Sequence, residues 1–234
     1  NKPQADPVRF KNRMAYSLME QVPELLSCRT TFVHLYVKDK SEGENGLFQD
    51  YGLYTQVEQI NGAYLNNRGL DNNGQLYQAA DFDWGRHEDS LKLATDADFN
   101  LEAFEQYLEV QGDEDHQKLL DMLDAVNDEN RDIREVVDQY FDKGNLYHWM
   151  AFHMLLGNKE VMDGNYYLYS PRGLDRWYFL SWDNDSILEE GYERMRDTSY
   201  SRSWNKGFFT YTQGVLFRRI FQDETLRNEF DQVV

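Results

Sequence analysis

The sequence predicts an α+β protein with two unequal parts, a small strand-containing segment over residues 1–58 and a larger, mostly helical segment over residues 59–234. Apolar residues alternate near the N-terminus, which indicates two strands that pair side by side. Most of the later chain instead repeats its apolar residues at helical spacing. An aromatic-rich hairpin lies among these later helices. The length allows one substantial core, or two lobes that share a cleft.

The composition is that of a globular protein, and it excludes several classes of function. Apolar residues make up 41% of the chain and aromatic residues 15%. The formal net charge is −18. Because nucleic acids and anionic membranes attract clustered Lys and Arg, we expect neither partner. No apolar run approaches the roughly 18 residues of a membrane span, so we expect no membrane insertion. A single cysteine, Cys28, excludes an internal disulfide and a cysteine metal cluster.

The N-terminal segment is predicted to hold one helix and two strands. The helix begins after Asp6 and Pro7, since Asp caps helices and Pro is tolerated in the first turn. The strands cover residues 31–37 and 52–59, and we expect them to pair antiparallel. Two strands alone are marginally stable, so we expect further strands upstream of this chain, which also begins directly before a helix.

The middle of the chain is predicted to contain a helix, an irregular stretch and then more helices. The helix covers residues 59–67, and the irregular stretch covers residues 69–98 with a short strand at 76–78. Two or three helices follow within residues 101–141, and another covers 146–156. Residues 188–209 show no clear periodicity. The last helices are expected over 215–220 and from about residue 225.

The stretch around which the chain is organised is residues 157–185, GNKEVMDGNYYLYSPRGLDRWYFLSWDND. Its first residue, Gly157, ends an almost wholly apolar helix, because glycine readily takes the left-handed conformation at a helix C-terminus. Two aromatic-rich runs, residues 166–170 and 176–180, are joined by turn-forming residues and predict a hairpin. The acidic turn WDND, residues 182–185, follows at once.

This order of helix, polar loop, hairpin and acidic turn is the one with which a protein-kinase C-lobe holds a metal-bound nucleotide. In kinases a catalytic Asp is followed five positions later by a metal-binding Asn, and a second Asp follows the hairpin. Here Glu160 stands five positions before Asn165, and Asp183 follows the hairpin. The spacing predicts Asn165 and Asp183 as ligands of Mg²⁺ or Mn²⁺. Asp185 is either a further ligand or a residue that holds the loop.

The catalytic base has two candidates, Glu160 and Asp163. Spacing favours Glu160, while Asp163 lies on the same loop two residues before Asn165. The base must reach the acceptor hydroxyl within hydrogen-bond distance. Glu is one methylene longer than Asp, and a misplacement of about 1 Å costs on the order of 100-fold in rate. If Glu160 is the base, we therefore expect attenuated transfer.

Three motifs together resemble the spore coat protein H (CotH) family of atypical protein kinases. They are GN-x-E-x(4)-N-YYLY from Gly157 with WDxD after the hairpin, GLYTQVE at residues 52–58, and DPVRFKNR at residues 6–13. The resemblance covers most of the chain. The family typically has Asp where this chain has Glu160.

The resemblance implies a protein-kinase-like bilobal fold, with a truncated N-lobe to residue 58 and a C-lobe from residue 59 that lacks the last helices. It implies transfer of phosphate from ATP to a hydroxyl of a protein substrate, with Mg²⁺ or Mn²⁺, in a spore coat or cell envelope. Glu58, Gln59 and Ile60 are then the hinge whose backbone contacts adenine. The lysine that anchors the nucleotide in kinases has no counterpart here and is expected upstream.

Two other functions stay open. The D-x-D of Asp183-Asn184-Asp185 is also suited to a metal–sugar-nucleotide in a glycosyltransferase, although no βαβ series precedes it. A kinase-fold binding or adhesion module without catalysis is the other alternative. No Walker loop and no G-x-S-x-G occurs, so P-loop and hydrolase functions lack support. His148 and His153 do not share a helix face, and we expect His153 to lie in the core rather than bind metal.

Overall fold

The structure is a computed structural model in which residues 6, 9–39, 41, 46–158, 160–162, 164–188, 209–212 and 214–234 are described. It has the mixed α+β composition that the sequence predicts, with two separate antiparallel sheets. The elements are α1 Lys11–Met19, β1 Thr30–Val37, β2 Gln49–Val57, α2 Gly62–Asn66, β3 Gln75–Ala79, α3 Leu101–Glu105, β4 Leu108–Val110, α4 Gln117–Asn127, α5 Ile133–Tyr140, α6 Lys143–Leu155, β5 Tyr166–Ser170, β6 Tyr178–Ser181, α7 Val215–Gln222 and α8 Glu224–Asp231. Single 3₁₀ turns cover Glu160–Met162 and Phe209–Thr212.

The first sheet is a two-stranded ribbon. β1 and β2 pair antiparallel from Thr30 opposite Val57 to Val37 opposite Gln49, which confirms the pairing expected from the sequence. The second strand begins and ends a few residues earlier than predicted. Helix α1 packs against the base of the ribbon, where the Thr55 hydroxyl donates to the Arg9 carbonyl (2.9 Å). A buried Asp6 carboxylate accepts the Lys11 N–H (2.7 Å) at the start of this helix, although the helix begins later than predicted and its N-cap residue is Phe10 rather than Asp6.

The second sheet has the order β4-β3-β5-β6 and forms the centre of the molecule. All five residues of β5 are buried, because neighbouring strands flank it and helices cover it. The short strand predicted at residues 76–78 is β3, which pairs with both β4 and β5. Strand β4 was not predicted, since its three residues lie in a region read as wholly helical.

The predicted hairpin of β5 and β6 is present, with a shifted second strand. It covers Tyr178–Ser181 instead of residues 176–180. The shift has a physical cause at Trp177, which bridges to Phe141 and whose N–H donates to the Tyr140 carbonyl (2.7 Å). The backbone of Trp177 therefore joins the end of α5 before the ladder with β5 begins.

An aromatic cluster joins the second sheet to its helices. The Trp149 ring on α6 lies 4.6 Å from the Phe179 ring on β6 and 5.9 Å from the Phe217 ring on α7, centroid to centroid. Trp84 lies 5.5 Å from the same Phe179 ring. Such pairs add about 0.5–1.5 kcal/mol each to the free energy of burial. The cluster therefore fixes α6, and with it the loop that follows, relative to the hairpin.

The helices of residues 101–141 and those at the end of the chain agree in number and order with the helices predicted from the sequence. Residues 101–141 contain the three helices α3, α4 and α5, and α7 and α8 follow where the last two helices were expected. Residues 189–208 lie outside the described part of the chain, so the prediction for that stretch has no counterpart here. Among the described helices none is both long enough and apolar enough to cross a membrane. The division into two lobes at residue 58 stays a prediction.

Candidate active site at the end of the hairpin

Asn165 and Asp183 flank the same end of the β5–β6 hairpin. The last pair of the ladder is Tyr166 opposite Ser181, and the Trp182 N–H donates to the Asn165 carbonyl (2.9 Å). Asn165 lies one residue before Tyr166, and Asp183 lies two residues after Ser181. Both have a left-handed backbone, with φ of 59° and 43°. Asn and Asp tolerate this conformation better than other non-glycine residues, which explains their presence at the two positions.

Helix α1 holds the acidic turn through one side chain, Asn12. This residue is 2% exposed. Its Nδ2 donates to Asp183 Oδ1 (3.0 Å), and its Oδ1 accepts the Asn184 N–H (2.6 Å). A single amide therefore orients both the carboxylate and the backbone of the turn. The sequence analysis assigned no role to Asn12, although the residue is the Asn of the helix-start motif at residues 6–13.

A buried polar chain supports the turn from the side of α6. His153 Nε2 donates to Ser181 Oγ (2.9 Å), and its Nδ1 accepts from Asn158 Nδ2 (3.1 Å), which assigns the ring its Nε2–H tautomer. Asn158 Nδ2 also lies 3.4 Å from Asn184 Oδ1. Burial lowers the pKa of His153 to about 3, so the ring is neutral at physiological pH. This confirms His153 as a core histidine.

The loop after α6 reaches this position because the helix ends as predicted. Gly157 has a φ of 64°, the left-handed value typical of a glycine after a helix. The reversal places Asn158 under the end of its own helix, where its N–H donates to the His153 carbonyl (2.9 Å). Asn158 is fully buried. Its side chain therefore joins α6 to the acidic turn.

A cavity of about 220 Å³ opens beside the acidic turn. It is lined by Asn12, Tyr16, Val57, Trp182 and Asp183. The Tyr16 hydroxyl donates to the Ser181 carbonyl (3.4 Å), and burial raises its pKa well above the usual value, so it stays a neutral donor. The cavity is smaller than the roughly 300–1,000 Å³ of a typical small-molecule site. The described residues thus enclose only a small space beside Asp183.

Two further predicted site residues lie in the loop before β5 and in the turn after β6. Glu160 is exposed and begins the 3₁₀ turn Glu160–Met162. Asp185 is half-buried in the turn that follows the hairpin. Asp163, the rival base, lies outside the described residues. The choice between the two bases therefore stays a prediction.

Glu58, the first residue of the predicted hinge, is held by two arginines. Its carboxylate accepts from Arg68 (2.7 Å) and from the Arg29 side chain and N–H. Burial raises the pKa of Glu58, but the hydrogen bonds from Arg68 and Arg29 outweigh it and bring the pKa down to about 2. The Glu58 N–H also donates to the Arg29 carbonyl (2.9 Å). This N–H is therefore engaged within the protein.

The other two hinge residues differ in environment. Gln59 is exposed, and its Nε2 donates to the Tyr167 hydroxyl (3.1 Å) on β5. Ile60 is fully buried in the core. Val57, directly before them, lines the cavity beside Asp183, whereas the three hinge residues are not among its described lining. The end of β2 thus reaches the candidate site, and the contact of residues 58–60 with adenine stays a prediction.

The donor chemistry of the predicted ligands fits a hard divalent cation. Asn165, Asp183 and Asp185 offer amide and carboxylate oxygens, the atoms that Mg²⁺ and Mn²⁺ bind. Over the described residues no group of three or more His, Cys, Asp or Glu side chains is arranged to hold a metal. The predicted set contains only two carboxylates and would not form such a group.

Comparison with known protein families gives a match over the whole chain. The family model described as CotH kinase protein matches residues 1–234, the whole chain. Comparison with curated proteins finds no match. The family match agrees with the resemblance in the motifs of the hairpin and the first helix.

Proposed function

The chain belongs to the CotH kinase protein family, and on this premise we propose that it transfers phosphate from ATP to a hydroxyl of a protein substrate, with Mg²⁺ or Mn²⁺. One observation carries the proposal. Asn165 and Asp183, which the kinase spacing picks out, flank one end of the hairpin with left-handed backbones. The cavity that Asp183 lines is the space in which the phosphates lie.

The metal-binding residues in this proposal are Asn165, Asp183 and Asp185. A divalent ion supplies charge neutralisation for the phosphate oxygens, which is the main requirement of phosphoryl transfer. Asn12 fixes the Asp183 carboxylate through its 3.0 Å hydrogen bond. Because the carboxylate is oriented before any ligand arrives, little reorganisation is needed at the moment of reaction.

The remaining roles follow the kinase order of parts. Glu160, exposed at the start of its 3₁₀ turn, accepts the proton of the substrate hydroxyl. Asp163 is the alternative base. Glu58, Gln59 and Ile60 form the hinge, and the two arginines on Glu58 keep the end of β2 in place beside the cavity. The backbone of these residues is the proposed contact for adenine, apart from the Glu58 N–H, which donates to the Arg29 carbonyl.

The test is transfer from labelled ATP with Mg²⁺ or Mn²⁺, using the full-length protein. Asp183→Ala should lower the rate on the order of 1,000-fold, since no other group replaces its contact with the ion. Asp175→Ala, which removes an exposed acid from the other end of the hairpin, is the matched control and should leave the rate unchanged. A rate insensitive to Asp183→Ala would defeat the proposal.

Three further variants assign the base. If Glu160 is the base with too long a reach, Glu160→Asp should raise the rate roughly 10- to 100-fold with nucleotide affinity nearly unchanged. If Asp163 is the base, Asp163→Asn is the damaging change and Glu160→Gln is mild. No effect of any of the three, with metal-dependent nucleotide binding absent, identifies a binding module without catalysis. Preference for a sugar nucleotide over ATP identifies a glycosyltransferase.

A further inference from the structure

A second and larger cavity lies at the opposite end of the same hairpin. Its volume is about 420 Å³, within the range of ligand sites. Tyr169 and Tyr178, which face each other across the ladder, line it. Tyr178 precedes Ser181, the last ladder residue at the candidate active site, by three positions, or roughly 10 Å of strand. This groove is therefore separate from the cavity beside Asp183.

The groove presents apolar surface to solvent. Leu26 and Leu70 line it from the segments before β1 and before β3, and Pro171 and Leu174 line it from the hairpin turn. Leu174 is 52% exposed, although it is a large apolar side chain. Exposed apolar surface in a concave site is typical of places where another molecule binds.

The charged side chains that line the groove are all acidic, while Lys118 Nζ donates to the carbonyls of two other lining residues, Pro171 and Leu174 (2.7 Å each). Glu24, Asp71 and Asp142 line it, and the described lining contains no Lys, Arg or His side chain. Asp71 lies 3.4 Å from Arg172 Nε, and Glu24 lies 3.5 Å from His148 Nε2, so both have a side-chain nitrogen nearby. Asp142 differs, because within the described part of the chain its carboxylate accepts a hydrogen bond only from the Asn145 N–H (2.9 Å), which caps α6. Asp142 is thus the acid best placed to receive a cation from outside.

The Tyr178 ring lies next to this acid. Burial raises the pKa of Tyr178, the nearby Asp142 carboxylate raises it further, and the Arg176 guanidinium opposes both effects. The Tyr178 hydroxyl has no hydrogen-bond partner in the described part of the chain, whereas the Tyr169 hydroxyl donates to the Asp71 carbonyl (2.9 Å). A carboxylate beside tyrosine rings is a favourable setting for a guanidinium or ammonium group.

We propose that this groove docks an extended segment of a partner protein in which an Arg or Lys is followed by an aliphatic residue. The cation lies between Asp142 and the tyrosine rings, and the aliphatic side chain contacts Leu70 and Leu174. A second copy of this chain is a poor occupant, because two chains of net charge −18 repel each other. The proposal goes beyond phosphoryl transfer and does not depend on it.

The test is fluorescence anisotropy with a labelled heptapeptide that carries an Arg-Leu pair in a Gly-Ser background, without nucleotide. Peptides with Glu-Leu and with Arg-Ser are its controls. The Arg-Leu peptide should bind tightest, and its binding should weaken with added salt because the acids are partly exposed. Equal binding of the Arg-Leu and Glu-Leu peptides, or no binding of either, would overturn the proposal.

Two variants locate the binding. Asp142→Asn removes the charge yet keeps the helix cap, since Asn caps as well as Asp, and should weaken binding about three- to fivefold. Leu174→Lys places a like charge in the groove and should weaken it roughly tenfold or more. The matched controls, Asp121→Asn and Leu155→Lys, change exposed residues elsewhere and should stay within about twofold of the unmodified protein. Unchanged binding to Leu174→Lys, or a dimer in sedimentation that Leu174→Lys dissociates, would contradict peptide docking.

Discussion

The two ends of the β5–β6 hairpin differ in how their backbones are held. At the end beside the cavity, Gly164, Asn165 and Asp183 have φ values of 153°, 59° and 43°. At the turn end, an added Cβ on Gly173 would meet no atom within 4 Å. The first end is strained and enclosed, whereas the second is relaxed and open.

Both ends are also held by contacts from distant parts of the chain. The cavity end depends on Asn12, which is 171 residues away from Asp183 in the chain, and on Asn158 at the end of α6. The turn end has a local bond, in which the Leu174 N–H donates to the Pro171 carbonyl (3.3 Å), but Lys118 Nζ also donates to the carbonyls of both residues and the Asp71 carboxylate accepts the Arg172 N–H. Left-handed residues cost about 1–3 kcal/mol each and persist only where the surroundings over-determine them. The difference teaches that the distant contacts at the candidate active site hold a strained backbone, whereas those at the turn hold a relaxed one.

The largest effect on the free energy of unfolding is expected from alanine at Gly164, at the cavity end of the hairpin. Gly173, at the turn end, is the comparison. Gly164→Ala should lower the free energy of unfolding by about 3 kcal/mol, because of its positive φ and because the new Cβ would lie 2.6 Å from the Ala80 carbonyl oxygen. Gly173→Ala should change it by less than about 0.5 kcal/mol. Urea unfolding of both variants measures this. Similar losses at the two glycines would break the comparison.

A smaller effect is expected at the two buried asparagines that bind the hairpin strand β6 and its turn. Asn12→Ala should cost about 2 kcal/mol, because the buried Asn184 N–H loses its partner. Asn145→Ala should cost a similar amount, since Asn145 accepts the Phe179 N–H (2.7 Å).

The rate of phosphate transfer should distinguish the two asparagine variants. Only Asn12→Ala should also lower transfer per folded molecule, because only Asn12 orients Asp183. Unfolding curves and labelled-ATP transfer on the same preparations measure both quantities. If Asn145→Ala lowered the rate as much as Asn12→Ala, the role of Asn12 would be merely structural.

The smallest effect is expected on the pH dependence of stability, and it arises from His153 near the cavity end of the hairpin. Burial lowers the pKa of His153 from 6.5 to about 3. As pH falls below 6.5, the unfolded chain binds a proton that the folded chain does not, so stability is lost in that direction. Between pH 7 and 5.5 the expected loss is about 1 kcal/mol.

The free energy of unfolding is measured at pH 7 and at pH 5.5. His153→Gln should flatten the slope of the free energy of unfolding against pH, whatever its effect on stability at pH 7. His34→Gln, at an exposed histidine of the β1–β2 ribbon, is the control and should keep the slope of the unmodified protein. Identical slopes in all three proteins would show that His153 does not carry the effect.

The sequence by itself determined the local elements and the family. The hairpin, the left-handed Gly157, the buried His153 and the antiparallel β1–β2 pair all follow from periodicity or from residue types close together in the chain. The CotH motifs are of the same kind, because each spans only a few residues. Each of these features depends on residues close together in the chain, so it can be predicted without knowledge of the tertiary structure.

Only the tertiary structure decided what surrounds these elements. It placed β3 at the middle of the second sheet, added β4, and shifted the start of β6 because Trp177 bonds to α5. It also placed Asn12 on the acidic turn. Each of these joins residues far apart in the chain, and no local pattern marks which distant partner a buried asparagine or a short strand will take. Burial of polar groups makes such pairings obligatory, since an unpaired group costs about 1–3 kcal/mol, but the completed fold alone selects the partner.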